Sequence, residues 1–474
     1  MSYDRRRSLP VTRPENTTRL MCSGVLINRD LAESLHTQLC KPTVRVLAPW
    51  PGIDLVILAR YAAWGWRQRL RREAGLLVAL LGTIGLVAAF CLTLDVIVLV
   101  AAALTLSAGW LWRVRCDHRL TKTAIAALAN GDLWDPGPGI LSDEREAYLS
   151  AVPTANVSIY SRDRDDPFPG LGDMGRPVVM QPVDISRRAD KDTPIVPFKA
   201  SDVHDHVVRA APRFGLEELS ARHVLYVAGE WVDEIDRLLA GPTDVPVLRV
   251  HDDLIRQVID EPREHLRSYV CIQRVAHGGS LVTSVNVRVR LVGKQLSWET
   301  ITHVLGPPSQ AYVNAARIPS YDITVLRHAL RRNREKVVVQ MLHAPVRLAS
   351  LAWALRAESR LRQPRHMKWP ERLDPYGASE TEREFAARDS ETELFAGLDA
   401  RDQFQRVFRG VYRAMVAFLR DHNVDVAELV RTETSVVYQT VNSVFGDVGQ
   451  AMFGDNQSAT MTNVSHNDAP GGKG

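Results

Sequence analysis

The chain has 474 residues, a net charge of +4 and 45% hydrophobic residues, so it is long enough for several folded units and is neither strongly acidic nor strongly basic. Its five cysteines are scattered and form no CxxC pair, which argues against a disulfide framework and against a zinc ribbon. Only eight of the 59 basic residues are lysine, a bias typical of GC-rich bacterial genomes.

The chain before its most apolar stretch predicts a disordered start followed by short elements. Residues 1–18 are polar and rich in Arg, Pro and Thr, which is typical of disorder. Residues 19–40 predict a short strand and then a helix with Asp30 as its N-cap. From Asp54 onward, apolar residues and terminal arginines predict an amphipathic helix on the membrane surface. Residues 19–74 are therefore interpreted as a cytoplasmic N-terminal segment.

Residues 75–112 are the most apolar part of the chain and carry one charge, Asp95. As a single helix they would extend about 57 Å at about 1.5 Å per residue, whereas a hydrocarbon core is about 30 Å thick. Two antiparallel spans joined at residues 93–95 fit this length. The sequence therefore predicts a transmembrane helical hairpin, and a buried hairpin in a soluble core is the alternative.

Basic residues flank both spans, and short basic loops stay on the cytoplasmic side of a membrane. This pattern predicts a bacterial plasma-membrane protein with both termini in the cytoplasm. Tryptophans occur where interfacial anchors are expected. The predicted membrane-surface residues are Arg67, Arg69, Arg71, Arg72, Arg113, Arg115, Trp110 and Trp112, together with the distant Trp353.

No charge lies inside either span, so the hairpin is interpreted as an anchor, and an oligomeric channel is the weaker alternative. Small residues on both spans suit helix contacts, either within the hairpin or with a second copy of the chain. They are Gly82, Gly85, Ala88 and Ala89 on the first span and Ala101, Ala102 and Ala103 on the second.

Beyond the hairpin, the chain predicts a mixed domain. Residues 113–150 favour a short helix and a Pro/Gly linker, and residues 151–320 favour an α+β domain. Strand signals lie at 155–160 and 177–185, and a helix capped by Ser201 follows them.

A three-stranded antiparallel meander is the clearest β signal. Apolar and polar residues alternate through residues 269–305, and the His-Gly-Gly-Ser sequence at 277–280 marks the first turn. The predicted fold class is therefore α+β: a two-helix transmembrane hairpin with an α+β cytoplasmic region.

The segment 321–370 is predicted to be helical, basic and amphipathic. Between 327 and 368 it carries eleven basic residues against two acidic ones. Such a helix is typical of a membrane surface, where anionic lipids are its partners. A solvated face is the alternative, because residues 371–402 carry ten acidic and four basic residues and could neutralise it. Nucleic acid is disfavoured as a partner, because interleaved aromatic residues are few.

The C-terminal part, residues 371–454, is predicted to be helical. Its clearest element is a helix at 399–421 with one continuous apolar face, which is typical of a core helix. Residues 455–474 are rich in Asn, Ser and Gly and predict a disordered tail.

Two motifs are weak candidates for chemistry. Gly170, Gly172 and Gly175 form a GxGxxG sequence, but the dinucleotide fingerprint needs a helix after it, and here a strand is predicted. A glycine-rich connection is the favoured interpretation. Asp202 and His206 lie four residues apart on one helix face, a spacing that can bind a metal ion. Stabilisation of the helix dipole explains the aspartate equally well.

No catalytic motif and no cofactor are predicted. In particular, the GxSxG sequence that would give the His-Gly-Gly turn a role in a hydrolase is missing.

The chain also contains the short sequences TRLMCSG, APWPGIDLVILAR, DPFPGLG, PFKASDVH and DPYGASETERE. These resemble sequences in a group of actinobacterial membrane proteins that have two transmembrane helices and no assigned activity. The resemblance implies the layout described above.

The sequence therefore predicts a membrane-anchored cytoplasmic module for interaction or sensing, with the bilayer, an unidentified protein or a second copy as partner. The alternative is a membrane-bound enzyme or nucleotide-binding protein that uses the loop 170–175 or the cluster 202–206.

Overall fold

The computed structural model shows a mixed α+β protein with two long apolar helices in its N-terminal part. The residues described are 16–41, 45–128, 137–161, 165–235, 237–239, 245–309, 322–333, 337–350, 376–378, 380–388, 394–434, 436–437 and 441. Residues 1–15 of the predicted disordered start, the predicted tail 455–474 and Trp353 lie outside the described residues. Residues 16–18, the last three of the predicted disordered start, are instead helical, and Thr17 and Thr18 are buried.

The N-terminal part is helical from its first described residue. Its helices are α1 (Asn16–Ile27), α2 (Arg29–Leu35), α3 (Leu55–Thr93), α4 (Val96–Leu128) and α5 (Asp143–Ala151). The strand predicted within residues 19–40 is wrong, because α1 occupies it and buries Met21 and Val25 among the residues of α3 and α4. The predicted N-cap, Asp30, is also wrong. The N-cap of α2 is Asn28, whose side chain accepts hydrogen bonds from the N–H groups of Asp30 and Leu31.

Helix α3 is continuous from the N-terminal core into the apolar hairpin. Asp54 caps it by accepting a hydrogen bond from the Ile57 N–H at 3.0 Å. The segment predicted to lie on a membrane surface is the first half of this helix. Its residues Leu58, Tyr61 and Ala62 are buried against α1 and α2. The surface placement is therefore corrected to a place in a protein core.

The hairpin turn lies at the predicted residues. Leu94 ends α3 in a left-handed conformation (φ 54°), and Asp95 accepts a hydrogen bond from the N–H of Ile97 at the start of α4. Helix α4 then runs without interruption to Leu128, so the short separate helix predicted after the second span is its C-terminal part.

The remaining chain is built on one curled sheet. Its strands are β1 (Val157–Tyr160), β2 (Asp173–Met174), β3 (Val178–Val179), β4 (Val183–Asp184), β5 (Leu219–Ala228), β6 (Leu266–Ala276), β7 (Leu281–Val292) and β8 (Gln295–Leu305). The order is β1-β5-β6-β7-β8-β2, with β1 parallel to β5 and the other pairs antiparallel. The predicted meander is confirmed as β6, β7 and β8.

Strands β2, β3 and β4 follow one another along the outer edge of β8. The single strand predicted at 177–185 is therefore two short strands, β3 and β4, separated by residues that are not paired as strand. Helices α6 (Ala200–Ala210) and α7 (Asp252–Asp260) complete this part of the chain. The N-cap of α6 is Lys199 rather than the predicted Ser201, whose N–H and hydroxyl bind Asp260 instead.

The C-terminal helices are α8 (Asp322–Asn333), α9 (Val337–Leu342), α10 (Glu382–Arg388) and α11 (Leu394–Asp421). Residues 344–350 are also helical. The predicted core helix is confirmed as α11, whose apolar face covers one face of the sheet together with α6. The other face of the sheet carries many polar side chains and lies beneath residues 166–172.

Candidate membrane interface

Two of the described helices, α3 and α4, are long and apolar enough to cross a membrane. Their most apolar windows have mean hydropathies of 2.5 and 1.7, and only 17% of either window is buried. A core helix of a soluble protein would be mostly buried, so these windows do not resemble one. The large apolar side chains exposed along the hairpin are Val78, Leu81, Ile84, Val87, Leu92, Leu94, Val96, Ile97, Leu99, Val100, Leu104, Leu111 and Trp112.

A cluster of charged side chains lies where this apolar surface ends. Arg72 donates to Asp117 at 2.7 Å and to Glu73 at 2.9 Å, and Arg113 lies 3.8 Å from the second oxygen of Asp117. Glu73 and Asp117 are both buried. Burying a charge is costly unless it is paired. The contacts with arginine therefore compensate for the burial of these two carboxylates between the helices.

The charged cluster also joins the hairpin to a later part of the chain. Arg347 donates to the second oxygen of Glu73 at 2.8 Å. Two turns earlier, the fully buried Met341 packs against Leu76 of α3. The helical stretch 337–350 is therefore docked on the base of the hairpin by an ion pair and by apolar contacts around Met341.

Arg69, predicted to face the membrane surface, is instead buried and holds the end of α1. Its guanidinium donates to the carbonyl oxygens of Val25, Leu26 and Asn28 at 2.9 to 3.0 Å. The last carbonyls of a helix have no partner within the helix, so they need an external donor. Sequence reasoning missed this role because the partners lie more than 40 positions away in the chain.

The other predicted membrane-surface residues divide into two sets. Arg67, Arg71, Arg115 and Trp112 are exposed, and Trp110 is half-buried. Arg113 is buried, and Arg72 is held in the ion pairs described above. The Trp112 indole lies against Gly75 and is within 3.3 Å of the Arg71 carbonyl oxygen.

The glycines of the GxGxxG sequence make close backbone contacts. Gly170 (φ 85°) and Gly172 (φ 91°) need the left-handed conformation, and a Cβ at either would overlap a carbonyl oxygen, that of Pro49 or Val304. The Gly170 N–H donates to the Glu384 carboxylate at 2.9 Å, and the Gly175 N–H donates to the Thr302 carbonyl. A strand, β2, begins immediately after Gly172, where a dinucleotide site has a helix.

A polar chain of contacts lies between residues 166–172 and the sheet. His303 is fully buried; it accepts a hydrogen bond from the Asn286 amide at 3.3 Å, and its Nε2 lies 3.5 Å from an oxygen of Asp166. The Tyr226 hydroxyl donates to Asn286 at 3.3 Å. A carboxylate–imidazole pair can transfer a proton, but the burial of His303 denies it contact with solvent here. The arrangement therefore ties the 166–172 segment to the sheet.

Two residues of α10 complete this attachment. Arg383 is fully buried and donates to the carbonyl oxygens of Gly279, Ser280 and Gly306. Glu384 accepts hydrogen bonds from the N–H and hydroxyl groups of Thr381 as well as from Gly170. Contacts of Gly170 with Pro49 and Glu384 thus bring together described parts of three of the short sequences noted above, those at 48–60, 166–172 and 374–384.

The two predicted metal ligands have different neighbours. Asp202 accepts a hydrogen bond from the Lys199 N–H at 2.9 Å, and the His206 ring packs edge-on against Phe418. In the part of the chain that the structure describes, no group of three or more His, Cys, Asp or Glu side chains is arranged to hold a metal ion.

His204, in the same helix, is a structural residue. The pairing of β7 with β6 ends at Val287, so the Val289 N–H has no partner in β6. It donates instead to His204 Nε2 at 2.9 Å. Burial, together with the smaller effect of the neighbouring His223, lowers the pKa of His204 to about 3. The ring is therefore neutral, as it must be to accept this hydrogen bond.

Comparison with known proteins gives one family match. The model of the AbeC-like domain matches residues 178–453, which begin at β3 and include the sheet from that strand onward and α6 to α11. The hairpin lies outside the matched residues. No curated protein and no solved structure matches the chain. Because the matched residues are more than half of the chain, the protein belongs to the AbeC-like domain family.

Proposed function

We propose that this protein is a bacterial integral membrane protein in which the hairpin, residues 75–112, anchors the AbeC-like domain to the cytoplasmic face of the plasma membrane. The anchored region acts as a module for interaction or sensing rather than as a channel.

The observation that carries the proposal is the exposed apolar surface of α3 and α4. The largest apolar patch on a soluble monomer is usually about 300–600 Å². Here thirteen large apolar side chains are exposed on two adjacent helices and the turn between them, with Leu92 87% and Ile97 75% exposed. In water this surface would be a strong aggregation site, whereas in lipid its exposure carries no hydrophobic free-energy penalty.

The orientation follows from the charged side chains at the two ends of the hairpin. The turn carries only Asp95, and the opposite end carries Arg67, Arg71 and Arg115 with their side chains exposed. Since positive residues near a span stay in the cytoplasm, both ends of the hairpin face inward. Each exposed arginine close to anionic lipid contributes about 1 kcal/mol of attraction to the leaflet.

The resemblance to actinobacterial proteins with two transmembrane helices supports the same layout. Three of the shared sequences meet around Gly170, where Pro49 and Glu384 contact it. The proposal therefore extends that family's membrane topology to this chain.

Extraction of membranes tests the proposal. The full chain, expressed in a bacterial host, is expected in the membrane pellet after washing with alkaline carbonate. Replacing Ile84 and Val87 together by arginine places two charges within a span, at about 2.5–3.5 kcal/mol each, and is expected to release the protein or lead to its degradation.

Val179→Arg is the matched control, because Val179 is an exposed valine (68%) on β3, outside the hairpin. It is expected to leave the protein in the pellet. Release of the unmodified chain by carbonate would contradict the proposal.

A further inference from the structure

A second apolar surface adjoins the hairpin and belongs to the AbeC-like domain itself. Val339, Leu342 and Val346 are 46%, 57% and 66% exposed. Their spacing of three and four residues places them on one face of a helix. The backbone is helical across the junction at His343, because its N–H donates to the Val339 carbonyl and the Arg347 N–H donates to the His343 carbonyl.

The opposite face of this stretch fixes its height along the hairpin. Met341 and Ala344 are fully buried and contact Leu76 in α3. In α4, a Cβ on Gly109 would lie 2.9 Å from the Met341 Cε atom, so the thioether is seated directly on that glycine.

The distance of these contacts from the hairpin turn indicates the depth at which Met341 would lie in a membrane. Leu76 precedes the end of α3 at Thr93 by 17 residues, and Gly109 follows the start of α4 at Val96 by 13. With a rise of about 1.5 Å per residue, these contacts lie about 20 to 25 Å from the turn. A hydrocarbon core is about 30 Å thick, so a membrane that contains the turn at its far surface reaches the level of Met341.

Farther from the hairpin turn than Met341, charged side chains mark the end of the apolar surface. Arg347, in the same helical stretch, reaches Glu73, which lies about 30 Å from the turn on the same scale. The stretch 337–350 therefore combines an exposed apolar face with an arginine at the level where the charged cluster begins, as an interfacial helix does. The neighbouring helix α8, which packs on α4, adds the exposed Arg327 and Arg331.

We infer that residues 337–350 lie in the cytoplasmic leaflet beside the hairpin, with Val339, Leu342 and Val346 inserted at the boundary between headgroups and acyl chains. The occupant of this apolar face is lipid, because the face is continuous with the exposed apolar surface of the spans and lies at their depth. The inference rests on the proposed function, since it needs an inserted hairpin. It adds that the AbeC-like domain makes its own contact with the membrane.

Fluorescence quenching by lipids tests the inference on the full chain in nanodiscs. Single cysteines at Val346, Val78 and Val292 are introduced with Cys91 replaced by alanine, because Cys91 is the one described cysteine that is exposed. Each is labelled with a small environment-sensitive fluorophore. The nanodiscs contain either ordinary lipid or lipid with a nitroxide near the headgroup end of its acyl chain.

The label at Val346→Cys is expected to lose at least half of its fluorescence in the nitroxide lipid. Val292→Cys is the matched control, because that valine is equally exposed (64%) but is the last residue of β7, at the turn into β8, and its label is expected to be unaffected. Val78→Cys, 71% exposed on the first span, reports insertion of the hairpin itself.

Quenching at position 78 without quenching at position 346 would overturn the inference and leave the membrane anchor intact. Absence of quenching at position 78 would overturn the anchor. A label at position 346 that is shielded from both the lipid nitroxide and aqueous iodide would show that protein covers this face, which also overturns the inference.

Discussion

The two ends of the hairpin differ in the kind of side chain that helices α3 and α4 bury. Toward the turn, α3 and α4 expose apolar side chains such as Leu92 and Ile97 and bury few residues. Toward the other end, the same helices bury Arg69, Glu73 and Asp117, each with a polar partner. Along each helix, burial therefore changes from paired charged groups at the base of the hairpin to exposed apolar groups toward the turn.

The largest expected effect in the charged half is the loss of Arg69. Arg69→Ala removes three hydrogen bonds to the end of α1 and leaves buried carbonyls without a donor, so we expect a loss of about 3 to 5 kcal/mol of unfolding free energy. Arg67→Ala is the control, since Arg67 is exposed and should change stability by less than about 0.5 kcal/mol. Thermal unfolding of the full chain in detergent measures both, and equal losses would contradict the role of Arg69.

The next effect concerns the attachment of residues 166–172 to the N-terminal part. Gly170→Ala forces a left-handed residue and a Cβ against the Pro49 carbonyl, with an expected cost of about 3 kcal/mol. Gly215→Ala is matched in conformation (φ 74°) but has open space around it, so only about 1 kcal/mol is expected. The difference between the two variants measures the contact with Pro49, and a difference near zero would show that this contact does not constrain the fold.

The ion pairs at the base of the hairpin should have a smaller effect. Glu73→Gln weakens the contacts to Arg72 and Arg347, and we expect a loss of about 2 kcal/mol because the glutamate is buried. Asp402→Asn breaks an exposed pair with Arg406 and should cost less than about 0.5 kcal/mol. Hydrogen exchange should show faster opening of residues 337–350 only in the Glu73 variant; unchanged exchange there would argue against docking through this pair.

The smallest effect depends on pH. The folded chain protonates His204 only near pH 3, whereas the unfolded chain does so near 6.5, so the stability due to this residue is present above pH 6.5 and is lost as the pH falls. At pH 5.5 the loss is about 1.4 kcal/mol. The His223 ring and Arg288 face this histidine and oppose its protonation. His204→Gln should flatten the pH dependence of the unfolding midpoint between pH 7 and 5, and an unchanged slope would assign it to other groups.

Local patterns predicted the elements whose sequence period is unambiguous. The apolar hairpin, the meander β6 to β8 and helix α11 were all visible in the sequence, because each has a long, regular alternation or an uninterrupted apolar run. Helix α1 was not, because the short apolar stretch around Val25 suits a strand or a helix, and packing against α3 and α4 selects the helix.

The roles of single charged residues could not be predicted from the sequence. Arg69 and Arg113 sit among flanking arginines that suit a membrane surface, and only the fold shows that they are buried. The contact between Gly170 and Glu384 joins residues 214 positions apart, a distance at which spacing carries no information. Sequence periodicity thus predicted several of the helices and strands, whereas tertiary contacts decide which polar groups are structural.

The most direct test of the membrane account is the accessibility of the hairpin turn in intact cells. Asp95→Cys, in the Cys91→Ala background, is exposed at the turn and should react with a membrane-impermeant maleimide before the cells are lysed. Arg115→Cys, exposed at the other end of the hairpin, should react only after lysis. Protection of the turn with labelling of position 115, or equal labelling of both in intact cells, would contradict a hairpin inserted from the cytoplasm.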